Sequence, residues 1–315
     1  MIIAAVLAAY AASAGTLGAG VLGRARWTAR APLLAIVIYL AAGWSVVVAL
    51  GLAGLTLAVH ATALGEGLSH LIGACVLRLR AAYGTPGGAA VAGLGLTLAG
   101  AVVARTTLTA ATHLRAAGRQ ARRHAQTARL VGHPQPALGA VLMDHPQPTA
   151  YCVAGRYPTV IVTTGALEAL DRGQLAAVLA HERAHLASHH HRLVALARIG
   201  RLVLPFLPLM RGADEQVAKL VEMHADDAAA RSSDPRSLAT ALVALATAGT
   251  PAPTLAAAAT DSVQRIQRLL SPAEPLGGVR RLLLRATAAS LALTPVLLAL
   301  MPALVVLAMG RLLAA

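Results

Sequence analysis

Four long apolar runs divide the chain. Residues 2–23 and 31–59 carry no charge, residues 87–104 are apolar up to Arg105, and residues 286–310 are apolar around Pro295 and Pro302. About 20 apolar residues span a bilayer, so each run predicts a transmembrane helix: about 2–23, 31–59, 87–110 and a fourth within 283–315. Between the third and fourth runs the pattern is mixed. The third helix continues through "ATHLRAAGRQARRHAQTARL". "GHPQPALGAVLMDHPQPTAY" is broken by Pro and Gly and reads as a loop, its short HPQP repeat a coincidence. "TAYCVAGRYPTVIVTTGAL" predicts two strands joined by a turn at Ala154–Pro158, with the β-branched "TVIVTT" the strongest strand signal. A helix follows, capped by Asp171 with Gln174 three residues on, and carrying Leu175, Val178, Leu179 and Leu186 as a stripe.

The stretch "LVALARIGRLVLPFLPLM" is apolar but interrupted by Arg198, Arg201, Pro205 and Pro208. It reads as a buried or membrane-surface helix, not a span. A helix over about 212–232 holds "VEMHADDAAAR". Asp234 and Pro235 then cap and open another. "GTPAPT" is a loop, and "DSVQRIQRLL" a short helix before the loop "SPAEPLGG". The expected fold is mainly α: a four-helix transmembrane part plus an α+β domain with a small β-sheet. The divisions are 1–112 (three spans), 113–282 (the domain) and 283–315 (the fourth span).

Composition sharpens this picture through the placement of charge. Hydrophobic residues make up 57% of 315, yet the net charge is +14. Arg24, Arg26 and Arg30 lie between the first two runs, and Arg115, Arg119, Arg122, Arg123 and Arg129 follow the third. Arg280, Arg281 and Arg285 precede the fourth. The positive-inside rule puts all three clusters in the cytoplasm, with both termini and the 60–87 connection (Arg78, Arg80) outside. This is the layout of a multi-pass protein of a bacterial plasma membrane. The charge then serves the bilayer surface and its anionic lipids, and direct nucleic-acid binding is not expected. The first run has no basic segment ahead of it, which fits an uncleaved anchor better than a signal peptide. Lys219 is the single lysine, a coding bias in an alanine- and arginine-rich chain. Cys75 and Cys152 fall on opposite sides of the membrane, which argues against a disulfide. Twelve histidines against two cysteines steer any metal site toward nitrogen and oxygen ligands.

"AVLAHERAHLASHHHRL" holds five of those histidines. His181 and His185 are four apart, so they project from one helix face and can reach one ion. Glu182 between them is the general base expected of H-E-x-x-H. A catalytic zinc needs a third protein ligand and an open position. His191 stands where H-E-x-x-H-x-x-G-x-x-H would place it, but the glycine position is Ser188, which takes a left-handed turn only at a cost. Glu222 of "EMHAD" is the favoured alternative. Asp226, four residues on, can accept the free imidazole N–H of a ligand histidine. His189, His190 and His191 then become bystanders at a polar helix end. His224 points away from Glu222 by helical spacing, and Asp227 is expected to be solvated. Tyr151, Tyr157, His224 and Arg265 are candidates for an oxyanion or substrate contact.

H-E-x-x-H followed by E-x-x-A-D, preceded by "AYCVAGRYPTVIVTTGALEAL" and "LAAVLAHE", resembles the integral-membrane gluzincin metallopeptidases. Two branches of these are the HtpX-type quality-control peptidases and the BlaR/MecR-type antirepressor peptidases. The layout of three spans, a catalytic domain and a fourth span is similar to the second. The resemblance implies one zinc ion per chain, held by His181, His185 and Glu222, with Glu182 as base and Asp226 behind the ligands. It also implies a cytoplasmic protein substrate, for example a BlaI/MecI-like winged-helix repressor. The chain ends at Ala315, so the extracellular penicillin-binding sensor of that branch is not expected. The alternatives are a quality-control peptidase of the HtpX kind and a non-proteolytic receptor or scaffold with a structural zinc.

Overall fold

The structure is a computed structural model describing residues 1–58, 88–155, 157–248, 255–271 and 274–313. The 60–87 connection, Cys75 and the "GTPAPT" loop lie outside the described residues. Among the described residues, four helices are long and apolar enough to cross a membrane: α1 (Ile2–Gly23), α2 (Pro32–Ala58), α3 (Gly88–Val131) and the first part of the last helix, Gly278–Leu313. α2 is the central member, with α1, α3 and the last helix against it. α2 and α3 cross so closely at Gly54 and Gly95 that a Cβ on Gly54 would lie 2.7 Å from the backbone of Gly95 and Ala99. Small residues of this kind let membrane helices approach. The Tyr10 hydroxyl meets Ser45 Oγ at 2.8 Å and donates to Leu291 O at 3.4 Å, joining three of the spans.

α3 runs unbroken through the expected boundary at residue 112 and ends at Val131. A mixed sheet follows: β1 (His133–Gln135), β2 (Ala140–Met143), β3 (Ala150–Val153) and β4 (Thr159–Thr163), in the order β1-β2-β4-β3. β2 and β4 are parallel; the other pairs are antiparallel. The turn at Ala154–Pro158 joins β3 and β4 as expected. β1 and β2 arise from the segment read as a loop, which is a correction. β1 is three residues long at the sheet edge, where Pro134 is tolerated because no partner needs its missing N–H. The second HPQP copy, 145–148, forms no strand, so the two copies share no structure.

The helical part comprises α4 (Thr164–Ala169), α5 (Arg172–Ala187), α6 (His190–Val203), α7 (Pro208–Ala229), α8 (Pro235–Ala248), α9 (Leu255–Leu270) and α10 (Gly278–Leu313). α5 starts on the predicted capping box: Gln174 N donates to Asp171, and Gln174 Oε1 accepts from Asp171 N. Ser237 N donates to Asp234 at the start of α8. α9 begins six residues before "DSVQRIQRLL", and α7 begins at Pro208 instead of residue 212. α5 packs between the sheet and α7 and α8. A core of Leu7, Ile36, Val46, Ile199, Leu209 and Val217 joins α6 and α7 directly to α1 and α2. α7 thus links the membrane helices to the face that carries the candidate chemistry.

Candidate metal centre

α5 presents His181 and His185 one turn apart, and α7 crosses it with Glu222 toward them. The Nε2 atoms of the two histidines are 3.0 Å apart. Glu222 Oε2 is 3.5 Å from His181 Nε2, and Oε1 is 3.4 Å from His185 Nε2. Zinc bonds of about 2.0–2.1 Å at tetrahedral angles place ligand atoms about 3.3 Å apart, so this donor set fits the ion. Among the described residues these three are the group that could hold a metal.

The polar groups behind the trio are specific. His181 is buried, and its Nδ1 lies 3.0 Å from Asp226 Oδ1. Burial disfavours its charged form, but Asp226 and Glu222 outweigh this and push it up to about 9. Arg265 of α9 forks onto Asp226 with two bonds of 2.8 Å and reaches Glu222 Oε2 at 3.1 Å. Burial alone would raise the pKa of Glu222. The two histidines and Arg265 instead hold it below the usual carboxylate range. Asp226 is likewise held down, against its burial, by Arg265 and His181. Arg265 therefore faces the carboxylates of the centre.

Glu182 sits beside the trio on the sheet side. Burial raises its pKa, against the opposing pull of His181, His185 and the neighbouring Cys152 thiol. Cys152 is itself pushed up to about 12, by burial and then by Glu182. Residues alternate across β3, so Cys152 faces α5 while Tyr151 and Val153 pack toward α3. The Tyr151 hydroxyl approaches Met143 Sδ at 3.8 Å, and Tyr157 lies under the Arg129 guanidinium, 4.5 Å from its ring centre. Both tyrosines line a cleft of 1140 Å³ between α3, β3 and the candidate ligands His185 and Glu222.

Three expectations about neighbouring residues change. The chain does make a left-handed turn after α5, at His189 (φ 50) and not at Ser188, a conformation in which His is better tolerated than most residues. This break swings His190 back: its Nδ1 lies 2.9 Å from His185 Nδ1, and its Nε2 lies 2.8 Å from His224 Nδ1. His190 is 2% exposed, so it is no bystander. His224 is outside the ligand trio but takes part in this chain of rings. Asp227 is not simply solvated, because Arg268 binds it at 2.7 Å. His191 stays exposed and His189 lies beside it, their ring centres 6.0 Å apart.

Sequence reasoning missed His190 for a geometric reason. On a continuous helix a residue five positions after His185 is rotated about 140° away from it. The Cys152 contact was open to the period-2 alternation of "AYCV". Arg265 and Arg268 come from a distant helix, and no local pattern pointed to their partners.

Residues 115–208 match Peptidase family M48, a stretch that runs from the second half of α3 through the sheet and H-E-x-x-H to the start of α7. The match supports a membrane-associated metallopeptidase. Glu222, Asp226 and Arg265 lie beyond it and join the site by geometry alone. No curated protein and no solved structure matches the chain.

Proposed function

We propose that this protein is a membrane-anchored zinc endopeptidase with His181, His185 and Glu222 as the ligands. The observation that carries this reading is the spacing of the three ligand atoms beside Glu182. A structural zinc has four protein ligands; three ligands with a further, non-ligating carboxylate beside them are the donor set of a catalytic site. That favours a peptidase over a scaffold with a structural zinc.

Zinc, when bound, supplies Lewis-acid polarisation of the scissile carbonyl and activation of water. Glu182, raised by burial, takes the proton from the attacking water and returns it to the leaving amine. Asp226 fixes the His181 ring through Nδ1, and Arg265 keeps Glu222 and Asp226 ionised and in place. β4 is paired on both sides, by β2 and β3, so it offers no free edge to a substrate strand. β3 is the edge strand at the opposite end of the sheet from β1, and it lines the cleft. An extended substrate would add there, beside Cys152 and Glu182.

The arginine clusters favour a cytoplasmic site, and therefore a cytoplasmic protein substrate; a winged-helix repressor is one candidate of that class. The test is a comparison of cells expressing wild-type or Glu182→Gln protein for new protein N-termini. Glutamine cannot take the proton, so cleavage should fall about 10²–10⁴-fold with zinc retained. A metal-loaded Glu182→Gln protein cutting at the wild-type rate would refute the mechanism. New termini confined to misfolded membrane proteins would favour the quality-control alternative over a regulatory one.

A further inference from the structure

α6 and α7 form a hairpin whose tip, "LVLPFLPL", touches the helices that span the membrane. A Cβ on Gly15 of α1 would meet Leu207 at 3.1 Å, and one on Gly18 would meet Leu209 at 3.6 Å. A Cβ on Gly43 of α2 would lie 3.4 Å from Met210 Sδ. These contacts give a depth. Arg268 binds Ala29 O, in the connection between α1 and α2, and Met223 O, next to Glu222. The metal centre is therefore level with that connection. Gly15 lies eight residues into α1 from Gly23, about 12 Å at the helical rise. Gly43 lies eleven residues into α2 from Pro32, about 16 Å. Half of a bilayer hydrocarbon core is about 15 Å.

The surface of the tip agrees with that depth. Phe206, the single phenylalanine of the chain, is 67% exposed, and Leu202 beside it is 43% exposed. Several polar groups of the hairpin are met from within the protein, while Arg211, just beyond the tip on α7, is exposed. Arg105 of α3 donates to the carbonyls of Val203 and Leu202 at 2.6 and 2.9 Å, satisfying the end of α6. Asp214, 4% exposed, pairs with Arg198 at 3.1 Å and Arg201 at 2.9 Å. Hydrocarbon offers no partner to a backbone carbonyl or a charge, so any segment within it must be satisfied in this way. The long arginine stems can carry their charged ends toward the headgroups.

We propose that residues 202–209 form a re-entrant element seated among the lipid acyl chains. It reaches about half-way across the bilayer from the side on which the metal centre lies. The occupant of its exposed face is lipid hydrocarbon, because Leu207 and Leu209 of the tip lie against Gly15 and Gly18 of α1, a helix whose own Leu17 and Val21 are exposed. The same α7 that starts in this tip at Pro208 carries Glu222 fourteen residues on, about 21 Å along its axis. The element thus holds the centre at the level of the membrane surface. The proposal rests on the membrane placement of α1 and α2 and not on catalysis.

The test uses the full-length wild-type protein in phosphatidylcholine and phosphatidylglycerol vesicles. One phospholipid carries a photoreactive diazirine at the end of its acyl chain, and adducts are mapped by mass spectrometry. Adducts should appear on 202–209 at a yield comparable with the Leu17 region of α1, and a headgroup diazirine should label 202–209 only weakly. Acyl-chain adducts on α1 with none on 202–209 would overturn the proposal. A second measurement is the labelling of introduced cysteines by a water-soluble maleimide in a Cys75→Ser, Cys152→Ser background. Phe206→Cys should react about tenfold or more slowly than the exposed Arg119→Cys, as water is excluded from the hydrocarbon. Equal rates in intact vesicles would also overturn it.

Discussion

Replacing His190 tests how the metal centre is held. If His185 binds zinc through Nε2, its Nδ1 carries the proton and must donate. The group at 2.9 Å is His190 Nδ1, which must accept. His190 then carries its proton on Nε2 and donates to His224 Nδ1 at 2.8 Å. Burial, with His185 and His224 adding to it, lowers the His190 pKa to about 4, so this ring is a neutral acceptor at pH 7. His190→Leu removes the acceptor for a donor buried beside the metal. Such an unsatisfied group costs about 1–3 kcal/mol. Loss of an outer-sphere partner typically weakens metal binding about 10–100-fold, equivalent to about 1.4–2.7 kcal/mol, so the two routes agree. The assay is competition for zinc against a chromogenic chelator, with circular dichroism to confirm folding. His190→Asn should lose less, because its Oδ1 can stand near the Nδ1 position and accept. His224→Ala should lose least, because it leaves the acceptor for His185 in place. Wild-type zinc affinity in His190→Leu, or equal losses in the Leu and Asn variants, would refute the reasoning.

Further expectations concern ligands, the ion-pair cluster and topology. Glu222→Ala should lose zinc and His191→Ala should keep it; metal analysis of the purified variants decides, and the reverse result would reassign the third ligand. Arg265→Met leaves Asp226 and Glu222 without their cation. Breaking a buried pair costs about 3–5 kcal/mol, so thermal unfolding of this variant should show a marked loss of stability, with Arg265→Lys intermediate because it keeps the charge without the fork. A reporter phosphatase active only outside the cytoplasm should be inactive when inserted at Gly249 and active when inserted at Gly84. The opposite pattern would put the metal centre outside and remove any cytoplasmic substrate.

The long elements were legible because each depends on a local pattern. Twenty apolar residues make a span wherever they occur, and Asp171 with Gln174 caps α5 through atoms three residues apart. His181, Glu182 and His185 share one helix, so their common face follows from the helical period. Short elements were less legible. β1 and β2 have no alternation long enough to read, and they are strands because β4 supplies a partner for β2.

By itself the sequence determined the four apolar helices, the H-E-x-x-H face and the pairing of Glu222 with Asp226 along one helix. All of these rest on periodicity within one segment. The tertiary structure alone decided that His190 turns back onto His185, that Arg265 and Arg268 reach the carboxylates of α7, and that β3, not β4, is the free edge. It also decided that the α6–α7 tip lies against α1 and α2. Each of these is a contact between segments far apart in the chain, set by how the helices pack and where the chain bends, and local periodicity carries no information about either.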